Sequence, residues 1–221
     1  MGCWMVSEGL QADILKGWHA LELAPDATAV AQLASLVRLL DKWNRVTNLT
    51  AVRKPCAMVA RHILDSLVVL PYLYGDSLLD VGTGAGLPGL PLAIARPQLA
   101  VTLLDSNAKK VRFVRQAVAE LGLDNVEVVH TRMQEYQPPR SFAMVISRAV
   151  ASLDELHRQT AHLLRPGGRM LFMKGSVPEQ EIYALQGDRA GLHIERLNVP
   201  GLAAERHLLW LEITAEFSTT S

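Results

Sequence analysis

Apolar positions in the first third of the chain recur every three or four residues. From Ala27 to Asn44 (ATAVAQLASLVRLLDKWN) they fall at Val30, Leu33, Leu36, Val37, Leu40 and Trp43, after a Pro25-Asp26 start signal. That spacing gathers them on one helical face. Met58 to Leu73 repeats it through Ile63, Leu64, Leu67 and Leu70, and Pro71 marks its end. VTNLTAVRKP, between the two, reads as a turn-rich connector. After Tyr74-Gly75-Asp76 short apolar runs alternate with helical stretches: SLLDV, LPLAIA, AVTLLD, KKVRFVRQAVAEL, VEVVH, FAMVISRAV, ELHRQTAHLL and RMLFMK. Strand and helix in alternation predict right-handed βαβ units around a parallel sheet. HIERLNVP and RHLLWLEIT lie too close together for a crossover helix, so they are expected to pair antiparallel at the sheet edge. The chain thus divides into an N-terminal helical cap (1–75), an α/β domain (76–216) and a frayed tail (217–221).

Composition narrows the class. At 221 residues, 49% hydrophobic and 20% charged, the chain has a globular composition and room for one α/β domain with an extension. Twenty-two basic residues balance twenty-two acidic ones, so no overall charge announces a nucleic-acid partner. Cys3 and Cys56 have no metal-ligand spacing and suit a reducing cytoplasm. No apolar stretch nears the roughly 18 residues of a membrane span. The first residues lack the pattern of a signal peptide. A cytoplasmic monomer without a metal or a membrane is the expectation.

The chemistry concentrates in LLDVGTGAGLPG, residues 78 to 89. Gly84 to Gly89 fits G-x-G-x-x-G, a dinucleotide fingerprint. Shifted by two residues, Asp80 to Gly86 reads D-x-G-x-G-x-G, the pattern of S-adenosylmethionine enzymes. In either reading a strand ends, glycines turn the backbone, and a ligand approaches a switch point of the sheet. The flanks separate them. An acid before the glycines would oppose a pyrophosphate and favour the cationic methionine part of S-adenosylmethionine. Asp105, closing VTLLD, is placed to accept from two ribose hydroxyls, a role both cofactors share. The antiparallel edge favours a methyltransferase sheet. A glycine turn with only a structural role is the bland alternative.

The stretches WNRVTNLTAV, HILDSL, LLDVGTGAGLPGLPLAIARP, VTLLDSNAKKVRFVRQ, VISRAVASL and MKG together resemble the RsmG (GidB) family of bacterial small-subunit ribosomal RNA methyltransferases, from about residue 40 to 175. The resemblance implies a Rossmann-like class I methyltransferase: a mostly parallel seven-stranded sheet with an antiparallel C-terminal edge and an N-terminal helical extension. It also implies transfer of a methyl group from S-adenosyl-L-methionine to N7 of one guanine in 16S rRNA, leaving S-adenosyl-L-homocysteine. The expected partner is 16S rRNA or the small ribosomal subunit.

On that reading Asp80, Gly82, Gly84, Leu87, Asp105, Met133, Gln134 and Arg148 bind the cofactor. Gly82 and Gly84 let the backbone approach it, and Leu87 packs on it. Met133 covers an adenine face while Gln134 meets its amine. Arg148, after the fourth strand, contacts cofactor or substrate and is the positioning candidate. No residue is assigned to proton transfer, because guanine N7 carries a lone pair and no proton. His62 is the most tempting base, yet Asp65 and Ser66 share its helix face, and shaping the pocket suits it better. A small-molecule methyltransferase and a non-catalytic RNA-binding module remain as rivals.

RNA would need a local basic surface. Between Leu36 and His62 six basic residues face one acid, an excess of five. Arg45, Asn48, Arg53, Lys54 and Arg61 are the RNA-binding candidates there. Lys109, Lys110, Arg112 and Arg115 form a second cluster. A solvated helix face is the plain alternative for both.

Overall fold

Asp26 starts the long N-terminal helix. Its side chain accepts from the Ala29 amide at 2.8 Å, and helix α2 (Ala27–Thr47) ends where Asn48 turns left-handed, at φ 49°. A shorter helix, α1 (Val6–Ala20), precedes it and buries Leu10, Ile14 and Trp18 along one side. The computed structural model describes residues 6–148, 151–185 and 191–213. The expected tail, Cys3 and two residues of VISRAVASL lie outside them.

The helix predicted over Met58 to Leu73 is broken into pieces. α3 (Pro55–Met58) passes into a π-helical stretch over Val59–Leu64, then α4 (Asp65–Leu67) and a 3₁₀ turn at Leu70–Tyr72. The Asp65 amide bonds Ala60 O across the wider turn, and Ser66 Oγ donates to His62 O at 2.6 Å. A hydroxyl on a helical carbonyl competes with the backbone ladder. π-helical turns are rare and concentrate at functional sites.

The strands follow the predicted runs: β1 (Ser77–Val81), β2 (Ala100–Asp105), β3 (Val126–His130), β4 (Phe142–Arg148), β5 (Leu164–Lys174), β6 (Leu192–Leu197) and β7 (Arg206–Glu212). They form one sheet in the order β3-β2-β1-β4-β5-β7-β6. The first five are parallel to one another, while β7 runs antiparallel to both β5 and β6. The antiparallel edge is therefore as expected. LPLAIA forms α5 (Gly89–Ala95), and KKVRFVRQAVAEL lies in α6 (Ala108–Leu121), capped by Asn107. α7 (Leu153–Thr160) starts at a Ser152 cap, and α8 (Glu179–Ala184) follows β5.

Side chains on β1 alternate between two cores, as a pleated strand requires. Leu78 joins Leu33, Leu40, Leu90 and Phe113 in the cluster beneath α1, α2, α5 and α6. Leu79 joins Leu153, Leu156 and Phe172 on the face covered by α7. The N-terminal helices thus share a core with the sheet.

Candidate active site

The glycine turn after β1 is held from below by Asp80. Its side chain is fully buried, and one oxygen, Oδ2, accepts from Thr83 Oγ1 at 2.6 Å and Gly89 N at 2.9 Å. The other, Oδ1, is buried without a partner among the described residues. Burial raises the Asp80 pKa from 3.8 to about 6, against the two hydrogen bonds and the Arg148 charge, which lower it. Asp80 was expected to face the cofactor; it lies under the loop instead and shapes it. Leu87 is likewise buried, at 4% exposure, within the core cluster rather than at the rim of a cleft.

Above the loop, Gly82, Asp105, Met133 and Gln134 border one cleft of about 540 Å³, with Lys110 and Arg132 beside them. Gly82 and Gly84 are left-handed, at φ 66° and 62°. Gly84 N donates to Asp105 Oδ2 at 2.8 Å, and Asn107 N donates to Oδ1 at 2.7 Å. Each carboxylate oxygen therefore has one bond and a free lone pair. Met133 and Gln134 follow β3 in a 3₁₀ turn, where Gln134 Nε2 donates to Gln159 Oε1 at 3.0 Å.

The same geometry bears on the two cofactor patterns. A pyrophosphate needs free amide donors at the helix start. At the start of α5, Pro88 has no N–H, Gly89 N is spent on Asp80, and Leu90 N on Gly86 O. Leu87 N is bonded to Thr83 O. The amides of Leu87, Gly89 and Leu90 are therefore already bonded within the loop and the helix. Asp105 at the end of β2, though only 6% exposed, borders the cleft together with the left-handed Gly82 and Met133.

Arg148 lines a different cavity, of about 330 Å³, over the ends of β4, β5 and β7. Its Nη1 meets Asp65 Oδ2 at 3.3 Å, and Arg206 Nε meets Asp65 Oδ1 at 2.6 Å. The Asp65 side chain is only 3% exposed. His62 sits beside it, its pKa lowered from 6.5 to about 4 by burial and then by the Arg148 charge. His62 Nδ1 lies 2.9 Å from Arg61 O, and Nε2 lies 2.9 Å from Thr50 Oγ1. A carbonyl can only accept, so Nδ1 carries the proton and Nε2 accepts from the threonine. Both nitrogens are occupied, and the ring is neutral at pH 7.

The basic candidates divide. Arg45 pairs with Asp41 at 2.7 Å, and Arg53 donates to Asn44 O and Asn48 Oδ1 at 3.0 and 2.8 Å. Arg53 and Asn48 thereby brace the connector after α2. Lys54 and Arg61 are exposed and make no ion pair among the described residues, and Arg61 borders the second cavity. Asp65 was expected only to help shape the pocket with His62 and Ser66, and Arg206 did not figure among the candidates. HILDSL offered a signal for the first; nothing near Arg206 marked it.

The family model described as rRNA small subunit methyltransferase G matches residues 29–209. A protein of that name from Alkalilimnicola ehrlichii is 49% identical over 205 residues, 93% of each chain. Its namesake from Coxiella burnetii is 46% identical over 194 residues, 88% of this chain and 94% of the other. Among solved structures, the glycopeptide N-methyltransferase MtfA superposes with a TM-score of 0.56 at 15% identity, over 73% of this chain and 100% of its own. The tRNA methyltransferase TrmI from Aquifex aeolicus gives 0.53 at 16% identity, over 67% and 68%. These two share the fold.

Proposed function

The chain belongs to the rRNA small subunit methyltransferase G family, and we propose that it methylates N7 of one guanine in 16S rRNA, using S-adenosylmethionine and releasing S-adenosylhomocysteine. The observation that carries the donor assignment is the cleft over β1, β2 and β3, where Asp105 keeps a free lone pair on each oxygen and the amides of Leu87, Gly89 and Leu90 at the start of α5 are already bonded. Asp105 would hold the two ribose hydroxyls. Gly82 and Gly84 would admit the ligand close to the backbone, and Met133 and Gln134 would hold the adenine.

When bound, S-adenosylmethionine would supply a methyl group on a cationic sulfur, which a ring nitrogen would take as the sulfur leaves as a neutral thioether. Guanine N7 presents an in-plane lone pair without a proton, so no side chain has to remove one. His62, neutral and with both nitrogens engaged, is consistent with that. What the chain contributes is alignment and exclusion of water.

Asp105→Ala is expected to weaken S-adenosylmethionine binding by roughly 1.5–3 kcal/mol, the worth of a hydrogen bond to a charged group. Titration calorimetry reads this directly, and an unchanged affinity removes Asp105 from the ribose. The function itself is tested by incubating the protein with unmodified small subunits and mapping N7-methylguanine by strand cleavage. Methylation of another base edge, or of free small molecules alone, would overturn it.

A further inference from the structure

The Asp65 cavity lies one strand beyond the cofactor cleft. β1 ends in the cleft through Gly82, its neighbour β4 ends in the cavity through Arg148, and β7 brings Arg206 in from two strands farther out. Resting on the methyl-transfer reading above, we infer that this cavity receives the acceptor nucleotide: Arg148 donates to guanine O6, Arg206 grips the nucleotide's phosphate, and Asp65 is the positioning residue that fixes both guanidinium groups.

Charge supports an anionic guest. Arg61, Arg148, Lys174 and Arg206 border the cavity, against Asp65 as its one acid, and Lys174 is already paired with Glu181 at 2.9 Å. At about 330 Å³ the space falls in the range of small-ligand sites, roughly 300–1,000 Å³. Position assigns the two arginines. The base must lie against the methyl donor, so the arginine nearer the cleft meets the base and the farther one meets the phosphate.

Each guanidinium has five donors, and little of that capacity is used. Asp65 takes one nitrogen from Arg148 and one from Arg206, and Arg206 Nη1 donates to Glu205 O at 2.7 Å. The remaining donors are held in a fixed plane without being neutralised one for one. A guanidinium also reads the base. It can donate to guanine O6, whereas adenine offers an amine donor at that place and repels it. N7 is left free to react. His62, bonded to Thr50, lines the same cavity without adding charge.

The test uses the full chain with unmodified small subunits, reading KM for the subunit, kcat and donor affinity separately. Arg206→Gln is expected to raise KM about tenfold or more, through loss of a charge-assisted phosphate contact, with donor affinity unchanged. Arg206→Lys keeps the charge without the fork and should fall between. Asp65→Asn turns an amide donor toward one of the two arginines, and should lower kcat at saturating subunit by about tenfold or more while donor affinity holds. Unchanged KM in both Arg206 variants overturns the pocket, and so does a parallel loss of donor affinity. Unchanged kcat in Asp65→Asn removes its positioning role. A titration with 5′-GMP, followed on the arginine side-chain resonances, separates the two layers. Shifts at Arg148 and Arg206 in a protein that never methylates rRNA would keep the pocket and sink the function. Turnover indifferent to Arg206, with no such shifts, would do the reverse.

Discussion

Burying a carboxylate costs free energy that hydrogen bonds only partly offset. Asp80 illustrates the balance, with two donors on one oxygen and none on the other. Its folded pKa of about 6 lies above the unfolded 3.8, so the fold favours the protonated acid. The associated stability is complete below about pH 4 and is lost as pH rises through 6, by up to about 3 kcal/mol. Asp80→Asn removes that titration. Its amide oxygen can accept from Thr83 and Gly89, while its NH₂ takes the place of the unpartnered oxygen. The variant's thermal midpoint is therefore expected to gain on the wild type between pH 4 and pH 7, and a constant difference would contradict the shift. That an acid ends β1 was readable from the residues. Its direction was readable too, since strand alternation gives Asp80 the same face as Leu78, toward the buried helices and away from the cleft.

The turn between β1 and α5 depends on how closely that helix approaches the sheet. A Cβ on Gly89 would overlap Leu103 Cδ2 and stand 2.8 Å from Asp80 Oδ2. Gly89→Ala should cost about 1–3 kcal/mol in chemical denaturation, the range of core overpacking. Gly84→Ala meets nothing nearer than 3.8 Å, so its cost is the left-handed backbone alone, about 1 kcal/mol. Reversal of that order would remove the close-packing argument. Glycine spacing identified the turn, but could not say which glycine faces a ligand and which faces the core. The π-helical stretch was hidden for a similar reason. The apolar positions of Met58 to Leu73 suit ordinary helix, and the departure accompanies side-chain bonds to the backbone, such as Ser66 to His62 O, which periodicity does not register.

Across the surface, net charge says less than which cations are already engaged. Arg53 bonds the neutral oxygens of Asn44 and Asn48 and so braces the connector as well as carrying charge, whereas the exposed side chains of Lys54 and Arg61 make no hydrogen bond or ion pair among the described residues. Replacing Lys54 and Arg61 by Ala should weaken RNA binding and reduce the log–log salt slope by up to about two, roughly one per phosphate contact. Arg53→Ala should instead lower stability by about 1 kcal/mol, from lost hydrogen bonds, with little change in slope. Filter binding across a salt series distinguishes them; equal slopes for all variants would make the basic segment a solvated face.

The Asp65–Arg206 pair also has a temporal meaning. Its partners stand 141 positions apart in the chain. During synthesis the glycine turn, Asp105 and Met133 all leave the ribosome well before Arg206. Asp65 is therefore without its second arginine until the last strand of the sheet has been made.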